Sequence, residues 1–106
     1  MLLGHKQKNK VAKYLLNYWI RYEKNINNLH PSDIENVKLF FATLQKISLE
    51  ERLYLASQFR TARGKKYTDA EIAAIHGIDV AAHKEKRIAC ETALQNALIE
   101  IEGAKE

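Results

Sequence analysis

Residues 65–78 read KKYTDAEIAAIHGI, in which two lysines, a threonine, a run of small apolar residues and a glycine follow one another. Thr68 is followed three residues later by Glu71, a capping-box pattern that predicts a helix beginning at Asp69. Gly77 offers the left-handed conformation in which many helices end. The stretch therefore predicts a short capped helix with a tight glycine turn behind it.

A second helix is expected after the turn, because Asp79 can cap a helix that begins near Val80. Four apolar residues of the stretch are expected in the core: Ile72, Ala73, Ile75 and Ile78. Ala73 is small enough to let two helices cross closely, as they do in helix-turn-helix units. Residues 68–90 thus form the predicted motif.

The whole chain has the composition of one small helical domain. It contains 106 residues, 46% of them hydrophobic, with only four glycines and one proline. Apolar residues recur three and four positions apart, which favours helices over strands. We predict a single all-α domain over residues 1–106, with about five helices: an N-terminal helical pair at 1–46 and a helix-turn-helix core at 48–103.

Three helices are expected before the motif. The first runs from about Lys6 to Asn28, the second from about Ile34 to Lys46 with Ser32 or Asp33 as its cap, and the third from about Leu49 to Arg63, with a Ser48 capping box and Gly64 at its end. The residues expected to face inward are Val11, Leu15, Tyr18, Tyr22, Ile26, Leu29, Ile34, Val37, Phe40, Phe41, Leu44, Leu49, Leu53, Ala56 and Phe59.

The first helix carries a second apolar arc and a basic stripe. Leu16, Trp19 and Ile20 widen its apolar surface, which indicates burial between two elements or a homodimer interface. Lysines and arginines lie opposite, and residues 1–30 hold six basic residues against one acidic residue. A net charge of +4 and a pI near 9.2 are compatible with an acidic partner. A solvated face that keeps the protein soluble is the favoured explanation for the stripe.

Several classes of protein find no support in the sequence. The single cysteine, Cys90, cannot form an internal disulfide, and the histidines lack metal-ligand spacing. No phosphate loop or nucleophile and base pair is present, so we expect neither an enzyme nor a cofactor. The chain shows no signal peptide and no apolar stretch long enough for a membrane, which predicts a cytoplasmic protein without a membrane partner.

The segment YTDAEIAAIHGIDVAAHKEKRIACETAL at residues 67–94 resembles the region 4 helix-turn-helix of bacterial sigma factors and of phage late-transcription regulators of the ArpU and RinA type. With the preceding SLEERLYLASQF, the resemblance covers about residues 48–98. It implies binding to double-stranded promoter DNA, with the second helix in the major groove. Base contacts would come from Val80, Ala81, Lys84 and Glu85, and phosphate contacts from Lys65, Lys66, Thr68, Lys86 and Arg87.

Two positions depart from that pattern, because His83 and Lys86 stand where aliphatic core residues are usual. On a helical projection His83 falls beside Cys90 and Leu94, so we expect a packed, hydrogen-bonded histidine. Lys86 is expected to extend its stem towards solvent. The helical stripe continues through Cys90, Ala93, Leu94, Ala97, Leu98 and Ile101 to Gly103.

A protein-interaction module is the competing interpretation. In that case the motif would serve only for packing, and the chain would bind RNA polymerase or another regulator without reading DNA. The acidic end, with Glu100, Glu102 and Glu106, would be repelled by DNA and would suit a protein partner.

Overall fold

The computed structural model describes residues 10–61 and 67–104, and within them it contains six α-helices and no strand. They are α1 (Lys10–Asn17), α2 (Trp19–Lys24), α3 (Pro31–Lys46), α4 (Leu49–Phe59), α5 (Asp69–His76) and α6 (Val80–Ala104). The all-α prediction is confirmed. None of these described helices is both long and apolar enough to cross a lipid bilayer. Lys6, Arg63, Gly64, Lys65, Lys66 and Glu106 lie outside the described residues.

Helix α6 is the central element of the fold, and α1, α3, α4 and α5 all pack against it. It runs without interruption for 25 residues. Four residues of its predicted inner stripe, Cys90, Leu94, Ala97 and Leu98, are confirmed as buried, and the other two, Ala93 and Ile101, are half-buried. The four buried residues join one hydrophobic core with the buried residues of the other helices: Ala12, Leu15, Leu16, Trp19, Tyr22, Val37, Phe40, Leu44, Ile47, Tyr54 and Leu55.

The first predicted helix is in fact two short helices. The backbone departs from helical geometry at Tyr18, and α2 ends at Lys24 instead of continuing to Asn28. The sequence gives no sign of this break, because no glycine or proline stands there and the apolar residues keep their helical spacing across it. Because the helix has already ended, Ile26 is not in the expected register and is 49% exposed.

The second apolar arc of the first helix is part of the core. Leu16 and Trp19 are buried inside the chain, and the Trp19 ring meets Phe40 edge-on at 5.3 Å. Ile20 is half-buried. The expectation of burial is confirmed for Leu16 and Trp19. The possibility that these two residues form an interface is corrected, because both side chains are already buried in the core of the single chain.

The cap of α3 differs from the predicted one. His30, the residue before Pro31, accepts a hydrogen bond from the Ser32 amide at Nδ1, over 3.2 Å. Proline then occupies the first turn, where its missing N–H costs nothing. The helix therefore begins at Pro31, three residues before the predicted start, and Ile34 in its first turn is 38% exposed.

Helix α4 presents a different face to the core from the predicted one. Its capping box is confirmed, with Ser48 Oγ accepting from the Glu51 amide at 3.1 Å. Leu49 and Leu53, both predicted to be buried, are 61% and 62% exposed. The buried face consists of Tyr54 and Leu55, which lie 100° and 200° around the helix from Leu53.

Candidate nucleic-acid interface

The local geometry of the predicted motif is confirmed from Thr68 to Val80. Thr68 Oγ1 accepts from the Glu71 amide at 3.2 Å, and the Glu71 carboxylate accepts from the Thr68 amide at 3.1 Å, which completes the capping box. Helix α5 ends at Gly77, whose φ is 67°. A non-glycine residue would be strained in this left-handed conformation.

Two backbone hydrogen bonds close the end of α5. The Gly77 amide donates to the Ala74 carbonyl at 3.2 Å, and the Ile78 amide donates to the Ala73 carbonyl at 3.0 Å. This pair of bonds is the Schellman arrangement, which satisfies carbonyls that the helix end leaves free. Helix α6 begins at Val80, and only two residues separate it from the turn glycine.

Two of the four apolar residues expected in the core of the motif are buried, and two are not. Ile72 and Ala73 are each 1% exposed, whereas Ile75 is 70% and Ile78 is 40% exposed. The reason is that α5 packs through the face that also carries His76, whose ring stacks on Tyr54 at 5.1 Å. Ile75 lies outside this face, and both isoleucines remain at the surface of the turn.

His83 is a core residue, as predicted, and it connects α6 to α4 and α5. Its side chain is fully buried. Nδ1 shares a hydrogen bond with the Tyr54 hydroxyl, and Nε2 lies 2.8 Å from Gln58 Oε1 and 3.2 Å from Asp69 Oδ1. Both ring nitrogens are therefore satisfied, as a buried imidazole requires.

Asp69 and Arg87 form the second connection between α5 and α6. Arg87 Nε donates to Asp69 Oδ1 at 2.9 Å, and the other end of the guanidinium donates to Glu91 Oε2 at 2.7 Å. Burial disfavours the charge of Arg87, but the carboxylates of Glu91 and Asp69 outweigh burial and raise its pKa. Burial also opposes the charge of Asp69, yet hydrogen bonds from Gln58 and Arg87 lower its pKa below the ordinary value.

The phosphate contact expected at Arg87 is corrected, because Arg87 forms a buried ion pair. The Arg87 side chain is 10% exposed, and its donors point at Asp69 and Glu91 inside the fold. Thr68 is likewise committed to its capping box, where the Glu71 carboxylate would repel an approaching phosphate. Neither residue is retained among the proposed DNA contacts.

The first two turns of α6 place their remaining side chains outward. Val80, Ala81, Lys84 and Glu85, the four expected base contacts, are all exposed. Lys84 has no carboxylate within ion-pair distance among residues 10–61 and 67–104.

Lys86 extends towards solvent, as expected, but its amine is already engaged on the α4 side. Its Nζ stands 4.6 Å from the centre of the Tyr54 ring and 3.8 Å from Glu50 Oε1, and its side chain is 49% exposed. Lys86 therefore lies at the border between α4 and α6, beside the outward side chains at the start of α6. A phosphate contact there would have to compete with Glu50.

The residues that hold the motif together include several that the sequence did not single out. Gln58 connects α4 to α5, since its Nε2 donates to Asp69 Oδ1 at 3.1 Å and its Oε1 faces His83. Asp69 was predicted only as the first residue of a helix, and its pairing with Arg87 spans 18 residues. No local pattern links positions so far apart, so helical spacing could not have found this network.

Among the described residues, no group of acidic, histidine or cysteine side chains is arranged to hold a metal ion. Comparison with protein-family models, with curated proteins and with solved structures finds no significant match to this chain.

Proposed function

We propose that this protein is a transcriptional regulator that binds double-stranded promoter DNA through α5, the Gly77 turn and the start of α6. The supporting observation is the division of α6 into two faces. His83 and Arg87 hold it to α4 and α5, while Val80, Ala81, Lys84 and Glu85 point outward. The resemblance to the phage regulators suggests a phage or mobile-element origin.

The outward side chains have the chemistry to read base edges in a major groove. A lysine amine donates to the O6 and N7 acceptors of guanine, a glutamate accepts from the cytosine amino group, and an alanine methyl contacts the thymine methyl. Lys84, Glu85 and Ala81 would take these three roles. The buried ion pair behind them fixes the angle between α5 and α6, and this angle determines which bases they can reach.

The test is a comparison of Lys84→Ala and Lys66→Ala on a selected duplex and on a scrambled one. If Lys84 reads a base edge, its loss costs about 1–3 kcal/mol on the selected duplex and relaxes preference at one base pair. Lys66→Ala should weaken binding to both duplexes alike and reduce the slope of affinity against salt by about one, as loss of a phosphate contact does. Lys38→Ala, at an exposed site on α3, is the matched control.

Wild-type binding should weaken steeply with salt, because lysine contacts displace counterions from the duplex. Duplex affinity that did not change with salt, or wild-type affinity of both alanine variants for both duplexes, would contradict the proposal.

A protein-interaction module is the second candidate, and one observation favours it. Ile75, Ile78 and Val80 are 70%, 40% and 46% exposed around one tight turn, an apolar surface that suits a protein partner such as RNA polymerase. Ile75→Ser with Ile78→Ser separates the two functions. Loss of polymerase binding with unchanged duplex affinity would favour the module, and the reverse would favour DNA reading.

A further inference from the structure

The outward face of α1 and α2 carries a row of tyrosine rings whose outer end is open to solvent. Tyr14 and Tyr18 have ring centroids 4.9 Å apart, and Tyr18 and Tyr22 stack at 5.9 Å. Tyr22 is 3% exposed and anchors the row in the core, whereas Tyr14 is 50% exposed. A partly buried row of this kind holds the Tyr14 ring in place while leaving much of its surface free for a ligand.

The same helices carry positive charge without neutralising partners. Lys13, Arg21 and Lys24 are exposed, and no carboxylate within residues 10–61 and 67–104 lies within ion-pair distance of them. Glu23, the single acidic residue among residues 10–30, is occupied by Arg60 at 2.6 Å. By contrast, both lysines of α3 are paired with glutamates. The positive charge of α1 and α2 is therefore available to an anionic ligand.

Arg21 connects the charge to the tyrosine row and to a polar recess. Its guanidinium carbon lies 5.6 Å from the centre of the Tyr18 ring, a cation–π distance. Arg21 also lines a recess of about 190 Å³, together with Asn25, Asn28, His30 and the acidic Asp33. Asparagine amides both donate and accept, so they match the hydrogen-bonding edges of nucleobases.

We infer that this face of α1 and α2 binds single-stranded nucleic acid, with a base stacked on Tyr14 and the phosphates contacted by Lys13, Arg21 and Lys24. Stacking on a protein side chain requires a base whose face is free, which a single strand offers and an intact duplex does not. Aromatic rings beside a basic track are the usual means of binding such strands without sequence preference. The inference does not depend on the α5–α6 unit reading a duplex.

The experiment measures the affinity of the full chain for a labelled oligothymidylate of about 12 nucleotides, and for an oligouridylate of the same length. Tyr14→Ala should weaken binding about 5- to 150-fold, because a base stacked on an aromatic ring contributes about 1–3 kcal/mol. Tyr14→Phe keeps the ring and should bind like the wild type. Since the ring is half exposed, both variants should fold, which circular dichroism checks.

The basic track is tested by Lys13→Glu with Arg21→Glu. Removing two phosphate contacts should lower the salt slope for the single strand by about 1.4. The matched control is Lys38→Glu with Lys46→Glu on α3, which changes the net charge equally and should cost less than about twofold. Lys84→Ala should leave single-strand affinity unchanged, so a failure of duplex recognition can be distinguished from a failure of single-strand binding.

Binding to either oligonucleotide with this pattern of variants supports the inference. It is overturned if Tyr14→Ala binds the single strands like the wild type, if the α3 control loses as much affinity as the α1–α2 variant, or if the α1–α2 variants weaken duplex binding alone.

Discussion

Asp69 is the residue through which α4, α5 and α6 are held together, so its removal tests the account of how the motif is oriented. Its carboxylate accepts hydrogen bonds from Gln58 Nε2 at 3.1 Å and Arg87 Nε at 2.9 Å, and it lies 3.2 Å from His83 Nε2. Asp69→Ala removes these three contacts and a fourth, the hydrogen bond from Arg87 Nη2 to Asp69 Oδ2 at 3.3 Å, without changing the apolar core. We expect a loss of global stability and a looser α5.

The expected loss of stability depends on the groups that stay buried after Asp69 is removed. Without Asp69, the Arg87 guanidinium keeps Glu91 as its partner, but its Nε and Nη2 lose their acceptor, and the Arg87 side chain is only 10% exposed. Hydrogen bonds to charged groups contribute about 1.5–3 kcal/mol each. Asp69 is itself 25% exposed, so water restores part of the loss. We therefore expect Asp69→Ala to lower the free energy of unfolding by about 2–4 kcal/mol.

Urea denaturation of Asp69→Ala, Arg87→Met and the double variant measures the effect and isolates the pair. The two residues are in contact, so their coupling energy should be about 1–3 kcal/mol. Lys38→Ala is the control, since Lys38 and Glu35 are 71% and 80% exposed and such pairs contribute less than about 1 kcal/mol. A loss from Asp69→Ala no larger than that of the control, or additive single variants, would refute the reasoning.

Three further outcomes are expected. The pKa of Asp69 is lowered in the fold, so the stability that Asp69 contributes is present above its unfolded pKa of about 4 and is lost as the pH falls through the lower folded value. Between neutral and acidic pH, the free energy of unfolding measured by denaturation should therefore fall less in Asp69→Asn than in the wild type. Gly77→Ala should cost about 1–2 kcal/mol in thermal unfolding from its φ of 67° alone, because no atom lies within 4 Å of the added Cβ, and a neutral substitution would contradict the left-handed turn. Leu55→Ala should lower the free energy of unfolding by about 2–5 kcal/mol and Leu53→Ala by less than about 1 kcal/mol, since the two leucines are 1% and 62% exposed. Equal losses would contradict the buried face assigned to α4.

The sequence alone determined the local architecture of the motif and the start of α4. The capping boxes at Ser48 and Thr68, the end of α5 at Gly77 and the start of α6 at Val80 are where the pattern predicted them. These features depend on residues within five positions of one another, so their hydrogen bonds are readable from spacing. The burial of His83 was also readable, because α6 is long enough for its apolar periodicity to define an inner face.

Only the tertiary structure decided which faces of the shorter helices are buried. Leu53 and Tyr54 are adjacent in sequence and either could have faced the core, but Tyr54 lies inside, where its hydroxyl meets His83. Ile75 is exposed for a comparable reason, because α5 is only eight residues long and packs through the face that bears Ile72 and Ala73. In a short helix, apolar residues on neighbouring faces compete for the same contact, and the partner helix determines the outcome.

The Asp69–Arg87 pair belongs to the same category and changes the candidate site. In the sequence, Arg87 is one more basic residue after the turn, as suited to phosphate as Lys84 is. In the fold, a carboxylate 18 residues away and another one turn along α6 bind Arg87 inside the protein, while Lys84 remains exposed. Sequence shows the charge of each residue, but the partner of a charge is set by the packing of helices that are distant along the chain.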